Sequence, residues 1–458
     1  MFEGKDSQVV NNEIREKYAE LGIACNTKAF KRYFESGLLK QVNKDFIHEV
    51  NDFWEEHYKK EIDPVLHLAF WNLTGKNDKR IIPGPVMWKE FIPFFNDMDF
   101  RDAYSDKNIY DKLIDTSKTV KSIIKRVRGN YFDIENNNVD SATAFAIIIK
   151  YNDDLIIKPS NTDNGKGINK LSIENGICKL KGKSVTIEDL EEIYGHNFIV
   201  QEKIKQHEVM AAPHPDSVNT LRMVTFRWKK EIRYLLTFAR FGAHGAVNDN
   251  AGTGGVCCGV TDAGEFMDIA IDEHTNVYTN HPSTNYSFKE KAVIPNFDNF
   301  KKFVMNLHKE IIHHDFVSWD IAVGEEGEPV FLELNFRGAT WLYQLAAQQP
   351  LFGNLTEEVM EYVAKSIKDR TSITKSKVRV LKEKNRALRK KNKQLKETIS
   401  LLRNSRRRLR KENLEMKNEL EIKKHQINKV RKNYDTIKRS RSWRYTATFR
   451  KIGRIVKR

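Results

Sequence analysis

Asp320, Glu333 and Asn335 stand within one short stretch, "WDIAVGEEGEPVFLELNF" (319–336), and all three offer oxygen donors suited to a hard cation. Two runs that alternate apolar with polar residues flank "GEEGEP", a pattern that predicts a β-hairpin with strands near 317–323 and 329–335. Side chains two apart on a strand share a face. Glu333 and Asn335 therefore point together, with Asp320 beside them on the neighbouring strand. Magnesium is commonly held by one or two carboxylates plus substrate phosphates, and a one-sided set of this kind leaves the opposite side open to a nucleotide. Taken alone, polar residues on the wet face of a half-exposed hairpin explain "ELN" at least as well. The company they keep shifts the reading.

Two other stretches supply what a polyphosphate needs. "IIKPSNTDNGKGI" (156–168) ends a strand at Lys158 and runs into a loop containing Gly165 and Gly167. Glycines let backbone N–H groups approach phosphate oxygens closely, and a lysine adds a point charge. No GK[ST] follows, so this is not a P-loop. "VQEKI" (200–204) puts Gln201 and Glu202 at a strand end, where a carboxylate and backbone groups can meet a base and a ribose.

These residues need a scaffold to converge, and the patterning supplies one. Strands are expected over 153–160 and 197–204, two more within 219–242, and a hairpin over 254–272 turning at "DAGE". Helical spacing marks 300–314 and 355–367. Residues 1–105 mix helical periodicity with aromatic patches, interrupted by the turn "IIPGPVMW". Mixed helices and hairpins predict an α+β fold with antiparallel sheets. At 458 residues, 40% hydrophobic, the chain is large enough for two or three units and a sizeable core. Four cysteines without metal spacing suit a reducing compartment. No signal-peptide core and no apolar run near the ~20 residues of a membrane span is present, so a cytoplasmic protein is expected.

The net charge of +16 is unevenly divided. Residues 375–458 carry 32 Lys and Arg against 7 Asp and Glu, a net of +25, which leaves the preceding residues at −9. In this tail Leu381, Leu388, Leu395, Leu402, Leu409 and Met416 recur every seven residues, with Val378, Asn385, Asn392, Ile399, Arg406, Asn413, Leu420 and Ile427 at the companion positions. The repeat predicts a coiled coil over 375–435, and asparagines at the first position favour two parallel strands. The chain is thus expected to form a homodimer. Residues 436–458 interleave aromatic and aliphatic residues with Arg and Lys, as a short helix on an anionic membrane surface would. A basic-zipper nucleic-acid binder is disfavoured, because the positive charge runs through the heptads and beyond instead of preceding them.

In their order, the lysine and glycine loop, the "QE", and an Asp thirteen residues before Glu-x-Asn resemble the ATP-grasp superfamily. "HPDSVNTLRMVTF" (214–226), "VNDNAGTGG" (247–255), "NHPSTNYSF" (280–288) and the hairpin resemble its sugar-transfer-associated branch, also called α-L-glutamate ligase-related, over roughly residues 50–365. The resemblance implies an ATP-grasp catalytic domain over 106–368, made of two α+β subdomains that hold ATP between them, behind a helical lead-in over 1–105. It also implies roles. Asp320, Glu333 and Asn335 would hold Mg²⁺. Lys158 and, within "SDKNIYDKL" (105–113), Lys107 would hold the α- and β-phosphates under a lid of Gly165 and Gly167. Gln201 and Glu202 would flank adenine and ribose, with Glu208 an alternative for the ribose. Arg222, or else Arg337, would steady the γ-phosphate or an acyl phosphate, although either arginine could be an ordinary salt-bridge partner. Asp249, Asn250 and His281 are open between loop support and an acceptor site with His281 as base. The activity expected is an ATP- and Mg²⁺-dependent ligase joining an activated carboxylate to an amine, on a small-molecule or glycan-precursor substrate of bacterial surface polysaccharide. Phosphoryl transfer to a sugar hydroxyl is the alternative chemistry. The complete Asp320, Glu333 and Asn335 set disfavours a scaffold that binds ATP without catalysis.

Overall fold

The computed structural model describes residues 12–450 apart from 152, 163–166, 246–248 and 250–253. It divides into two units, one up to Ile367 and one from Lys368 onward. The first contains two antiparallel sheets. Strands β1 (Ser122–Val127), β2 (Asn130–Phe132), β3 (Asn138–Val139), β4 (Leu155–Pro159), β5 (Asn169–Glu174), β6 (Ile177–Leu180), β7 (Lys183–Ser184) and β8 (Phe198–Glu202) form a sheet of order β3-β2-β1-β8-β4-β5-β6-β7. Strands β9 (Thr220–Trp228), β10 (Glu231–Phe241), β11 (Val256–Val260), β12 (Phe266–Ile271), β13 (Val277–Tyr278), β14 (Phe316–Val323) and β15 (Pro329–Asn335) form the other, in the order β13-β12-β11-β10-β9-β14-β15.

Each sheet buries its apolar side chains against helices. Ile157, Leu171, Phe198 and Val200 of the first sheet pack with Ala144 and Ile148 of the helix Ser141–Ile149 and with Leu190 of the helix Ile187–Tyr194. The second sheet is covered on both faces, which is why every residue of β14 is buried. On one face Met223, Val317, Trp319 and Ile321 meet Phe300 and Val304 of the helix Phe297–His308. On the other, Val224, Phe226, Leu236 and Phe316 meet the helices Lys28–Glu35, Lys44–Tyr58 and Val65–Thr74 through Phe30, Trp54 and Phe70. The helical segment expected over 1–105 therefore has no core of its own; it completes the core of the sheet that carries the hairpin.

Strand parity now places the chemistry. Along β9, Thr220 and Arg222 lie on the same face as Val224, Phe226 and Trp228. The apolar half of that face lies beneath the N-terminal helices, and the polar half opens into a cleft. The hairpin has the expected strands, with one addition. A β-bulge interrupts the pairing between Asp320 and Ile321, so Asp320 opposes Glu333 while Ile321 opposes Phe331. The extra residue, Leu332, lines the cleft together with Glu333, in keeping with the tendency of bulges to re-aim side chains beside functional sites.

The second unit is helical. One helix runs Thr356–Arg439, so the segment expected to end near 367 and the expected coil over 375–435 share an uninterrupted backbone. Leu388, Leu395, Leu402, Leu409 and Met416 are all exposed along it. Ser440 caps a further short helix, Arg441–Tyr445, by accepting from the Trp443 amide. Among the described residues no helix is long and apolar enough to cross a membrane.

Candidate active site

Both sheets contribute walls to one cleft. Ile156 and Lys158 of β4 and Gln201 and Glu202 of β8 face Thr220, Asp320, Leu332 and Glu333 of the other sheet, with Val120, Ile204 and Val218 adding apolar surface. A second, more polar half continues from this first one past Asp249, Asp320 and Glu333 to Arg222, Arg240, Asn335, Arg337 and Trp341. The first half has the apolar walls a planar base needs, and Asp249, Asp320 and Glu333 lie where it meets the second half.

At that shared end Lys107, only 5% exposed, places Nζ 3.3 Å from Glu333 Oε1 and 3.2 Å from the Thr162 carbonyl. Its backbone N–H donates to the Ser160 carbonyl at 2.9 Å, which ties Lys107 to the end of β4. Lys158 is half-buried, with Lys107, Glu333 and Asp320 as its charged neighbours. Burial first, then the Lys107 ammonium, push its pKa down to about 8 against the pull of the two carboxylates. Two lysines are thus held together, only partly compensated by Glu333 and Asp320, in a site that a further anion would stabilise.

Asp320 is the centre of a dense charge network. Arg222 donates to both its oxygens, from Nε to Oδ1 and from Nη2 to Oδ2 at 3.0 Å. Arg240 donates to Oδ2 at 3.0 Å and pairs with Asp249 at 3.2 Å. Thr220 in turn donates to Asp249. Burial raises the Asp320 carboxyl, but Arg222 and Arg240 hold it below the usual carboxylate range. Burial raises Asp249, against the pull of Arg240. Arg222 also donates to the Tyr343 hydroxyl at 2.6 Å. Tyr343 reaches it only because residue 338 is glycine: a Cβ there would overlap the tyrosine hydroxyl.

Hard-cation chemistry fits this donor set through two of its three members. Asn335 turns its Nδ2 toward Asp320 Oδ2 at 3.4 Å. Its carbonyl oxygen and Glu333 Oε2 have no hydrogen-bond partner among the described residues, so both are open to a metal. Asp320 is differently placed, because guanidinium N–H groups occupy both its oxygens. Among the described residues no three His, Cys, Asp or Glu side chains cluster as a self-sufficient metal site.

Other expected residues fall in the cleft or near it. Gln201 is buried and donates to Ser122 at 3.3 Å, while Glu202 lies 3.9 Å from Lys121 at the mouth. Glu202, not Glu208, lines the cleft; Glu208 begins the short helix Glu208–Ala211. Gly167 has φ +79°, and a Cβ there would lie 2.9 Å from the Pro159 ring, so Gly167 itself packs directly against the end of β4. Gly165 and Asn250, like most of "VNDNAGTGG", lie outside the described residues. Arg337 lines the polar half and stacks on Trp88, with Cζ 4.1 Å from the ring centroid.

His281 is not a base in the cleft. It is buried, its Nε2 lies 2.8 Å from the Gly242 carbonyl, and its Nδ1 faces the Thr284 hydroxyl at 3.0 Å. Burial, with His214 and His244 nearby, lowers its pKa to about 4 and keeps it neutral. Thr284 donates to the Pro213 carbonyl at 2.6 Å, and Asn219 accepts from the Gly242 amide at 3.2 Å. The "HPDSVN" and "NHPSTNY" motifs thereby join into one buried brace behind the ends of β9 and β10, where Thr220 and Arg240 reside. Arg240 and Tyr343 escaped the sequence reading. The alternation of "EIRYLLTFARFG" contained the signal for Arg240, whereas nothing local marks Tyr343.

Two antiparallel sheets enclosing a cleft with paired lysines on one wall and the acidic hairpin on the other define the ATP-grasp class. The chain belongs to the sugar-transfer associated ATP-grasp family, whose model matches residues 87–360, more than half of the sequence and starting later than the expected residue 50. Solved structures similar to it include the VanG D-Ala:D-Ser ligase of Enterococcus faecalis (14% identity, 57% of this chain and 60% of that one, TM-score 0.34). Others are the D-alanine–D-alanine ligase of Bacillus anthracis (12%, 58% and 69%, TM-score 0.31) and the ATP-grasp ligase PsnB complexed with minimal precursor, Mg and ADP (12%, 57% and 60%, TM-score 0.32). The match thus spans about 60% of the length of the first of these chains. No curated protein matches the sequence.

Proposed function

We propose that the protein is an ATP- and Mg²⁺-dependent ligase that activates a carboxylate as an acyl phosphate and passes it to an amine, in the making or modification of bacterial surface polysaccharide. The observation that carries this is the meeting of Lys107 and Lys158 with Glu333 at the junction of an apolar and a polar half-cleft. The apolar half takes adenine, with Gln201 and Glu202 at its edge. Lys107 and Lys158 hold the α- and β-phosphates. Glu333 and Asn335 hold Mg²⁺, with Asp320 completing the set or orienting the arginines around it. Bound there, the ion would supply charge neutralisation to the transferring phosphate. Arg222, fixed by Asp320 and Tyr343, faces the position of the transferred phosphoryl group and stabilises its developing charge. The carboxylate and the amine occupy the polar half, where Glu273 offers an acceptor for an ammonium or hydroxyl.

The test is a product assay. The full chain is incubated with ATP, Mg²⁺ and a panel of amino acids and nucleotide sugars. Release of ADP and phosphate that depends on a carboxylate and an amine supports the ligase. A phosphorylated sugar without free phosphate would overturn it in favour of a kinase.

We further propose that residues 375–435 form a parallel two-stranded coil and that the basic end touches an anionic leaflet. The exposed row from Leu388 to Met416 supports the first, and the net of +25 over 375–458 supports the second. Three aromatic and aliphatic residues of the basic end could serve as anchors: Trp443 carries Arg450 over its ring at 3.7 Å, Phe449 is exposed, and Ile452 lies outside the described residues.

A further inference from the structure

The polar half of the cleft contains three guanidinium groups, and they differ in what their edges do. Arg222 directs its N–H groups to Asp320 and Tyr343, and Arg240 directs its own to Asp320 and Asp249. Arg337 is held by its face instead. It stacks on Trp88, and among the described residues it makes no ion pair or hydrogen bond. A guanidinium stacked on an indole keeps its in-plane donors pointing outward in a fork that matches carboxylate or phosphate oxygens. Arg32 repeats the device one layer back. Its Cζ lies 3.5 Å from the centroid of Trp341, a lining residue, and its Nε is buried without a partner. Among the described residues its one polar contact is a long one, 3.4 Å from Nη2 to the Tyr33 hydroxyl. Gly84 approaches the same indole, where a Cβ would lie 3.6 Å from Cδ1.

Arg32 and Gly84 precede the family match, and Trp88 lies at its first turn. The wall they build belongs to the helical segment of this chain, for which the sequence suggested no role. We infer that this segment is a substrate-recognition element of the enzyme. It forms, with Arg337 and Trp341, a site for a substrate bearing an oxyanion, a carboxylate or a phosphate. Arg337 is the specificity-determining residue, and Arg32 is a positioning residue that acts through Trp341. The inference rests on the ATP-dependent reading only for calling the bound molecule a substrate. It reassigns Arg337 from the γ-phosphate to the substrate anion.

The experiment uses the full chain with three probes: glucuronate, glucose 1-phosphate and neutral glucose. Binding is read by ligand-observed NMR, and affinity for a non-hydrolysable ATP analogue is measured separately by calorimetry. One of the two anions should bind at least tenfold more tightly than glucose, and its identity separates carboxylate from phosphate recognition. Arg337→Ala should abolish that preference and leave analogue affinity within about twofold, as expected for loss of a charge-assisted pair outside the nucleotide site. Arg32→Met should weaken anion binding severalfold with the analogue unaffected; a lowered melting temperature with unchanged anion binding would make Arg32 merely structural. Equal binding of all three probes, or an Arg337→Ala protein that loses the ATP analogue instead, overturns the inference. Failure of the wild-type protein to bind the analogue would sink the ATP-dependent reading and leave the anion comparison still decisive.

Discussion

Lys158 is poised close to the pH at which it loses its charge. Its pKa, lowered to about 8, lies below the ~10.4 of an unfolded lysine. Between those values the unfolded chain binds the extra proton, so stability rises with pH across that window, and below it the charged amine destabilises the fold. Lys158→Met should therefore stabilise the protein at pH 7, with the gain fading as pH climbs from 8 toward 10.4, while nucleotide affinity falls; thermal melts across that range check the first part. Phosphates favour the protonated amine. Affinity for ATP without metal should then drop as pH rises through about 8, with proton uptake on binding visible by calorimetry in buffers of different ionisation enthalpy; a flat profile would remove Lys158 from the phosphate site. Glu333→Gln and Asn335→Ala should each lower ATP turnover by about 10³-fold or more, the scale of several kcal/mol of transition-state stabilisation. Turnover within a few-fold of wild type would discard them as metal ligands. The residues legible in the sequence were those whose neighbours are local: period-two spacing put Glu333 and Asn335 on one face, and the hairpin pattern brought Asp320 beside them. The two arginines on Asp320 were not legible as a pair, since β9, β10 and β14 meet only through sheet order.

At the scale of elements, the turn from β15 into the helix Thr340–Ala347 fixes the arginine network, because Gly338 makes room for Tyr343. Gly338→Ala should lower stability by about 1–3 kcal/mol through overpacking and release Arg222 from one of its partners. Tyr343→Phe would leave the ring carbon Cζ still overlapping the new Cβ, so the ring itself must go: in a Tyr343→Ala background Gly338→Ala should cost much less. A double-mutant cycle by chemical denaturation measures this, and simple additivity would mean that Gly338 acts independently of the tyrosine. Long strands with clean alternation, β9, β10 and the hairpin, were legible. The short strands β2, β3 and β7, two or three residues each, are too brief for a period to register. The bulge at Leu332 was hidden because alternation cannot show which residue the partner strand skips.

For the whole molecule, the heptad row was legible because it needs only self-similarity, whereas the sharing of one core between residues 18–95 and the second sheet was not, since no local pattern names a distant partner. A chain truncated at 370 should be monomeric by light scattering, lose binding to phosphatidylserine liposomes and keep ATP turnover. The full chain should dimerise more tightly as salt rises toward ~0.5 M, where screening shortens to a few Å, and bind liposomes less. A truncated protein that stays dimeric removes the coil from the assembly. The shared core has a further consequence, for synthesis. Trp54 and Phe91 meet Tyr58, His67 and Phe95 within their own segment, but the core they share with Phe70 is closed only once β9, β10 and β14 have been made. At ~5–20 residues per second, roughly 10–45 s separate the emergence of Phe95 from that of Phe316 on the ribosome. Through that interval the nascent chain carries an unsatisfied aromatic surface that invites chaperone capture. The heptads emerge only after Val363, the last member of the core, so one chain can finish folding before a second finds it.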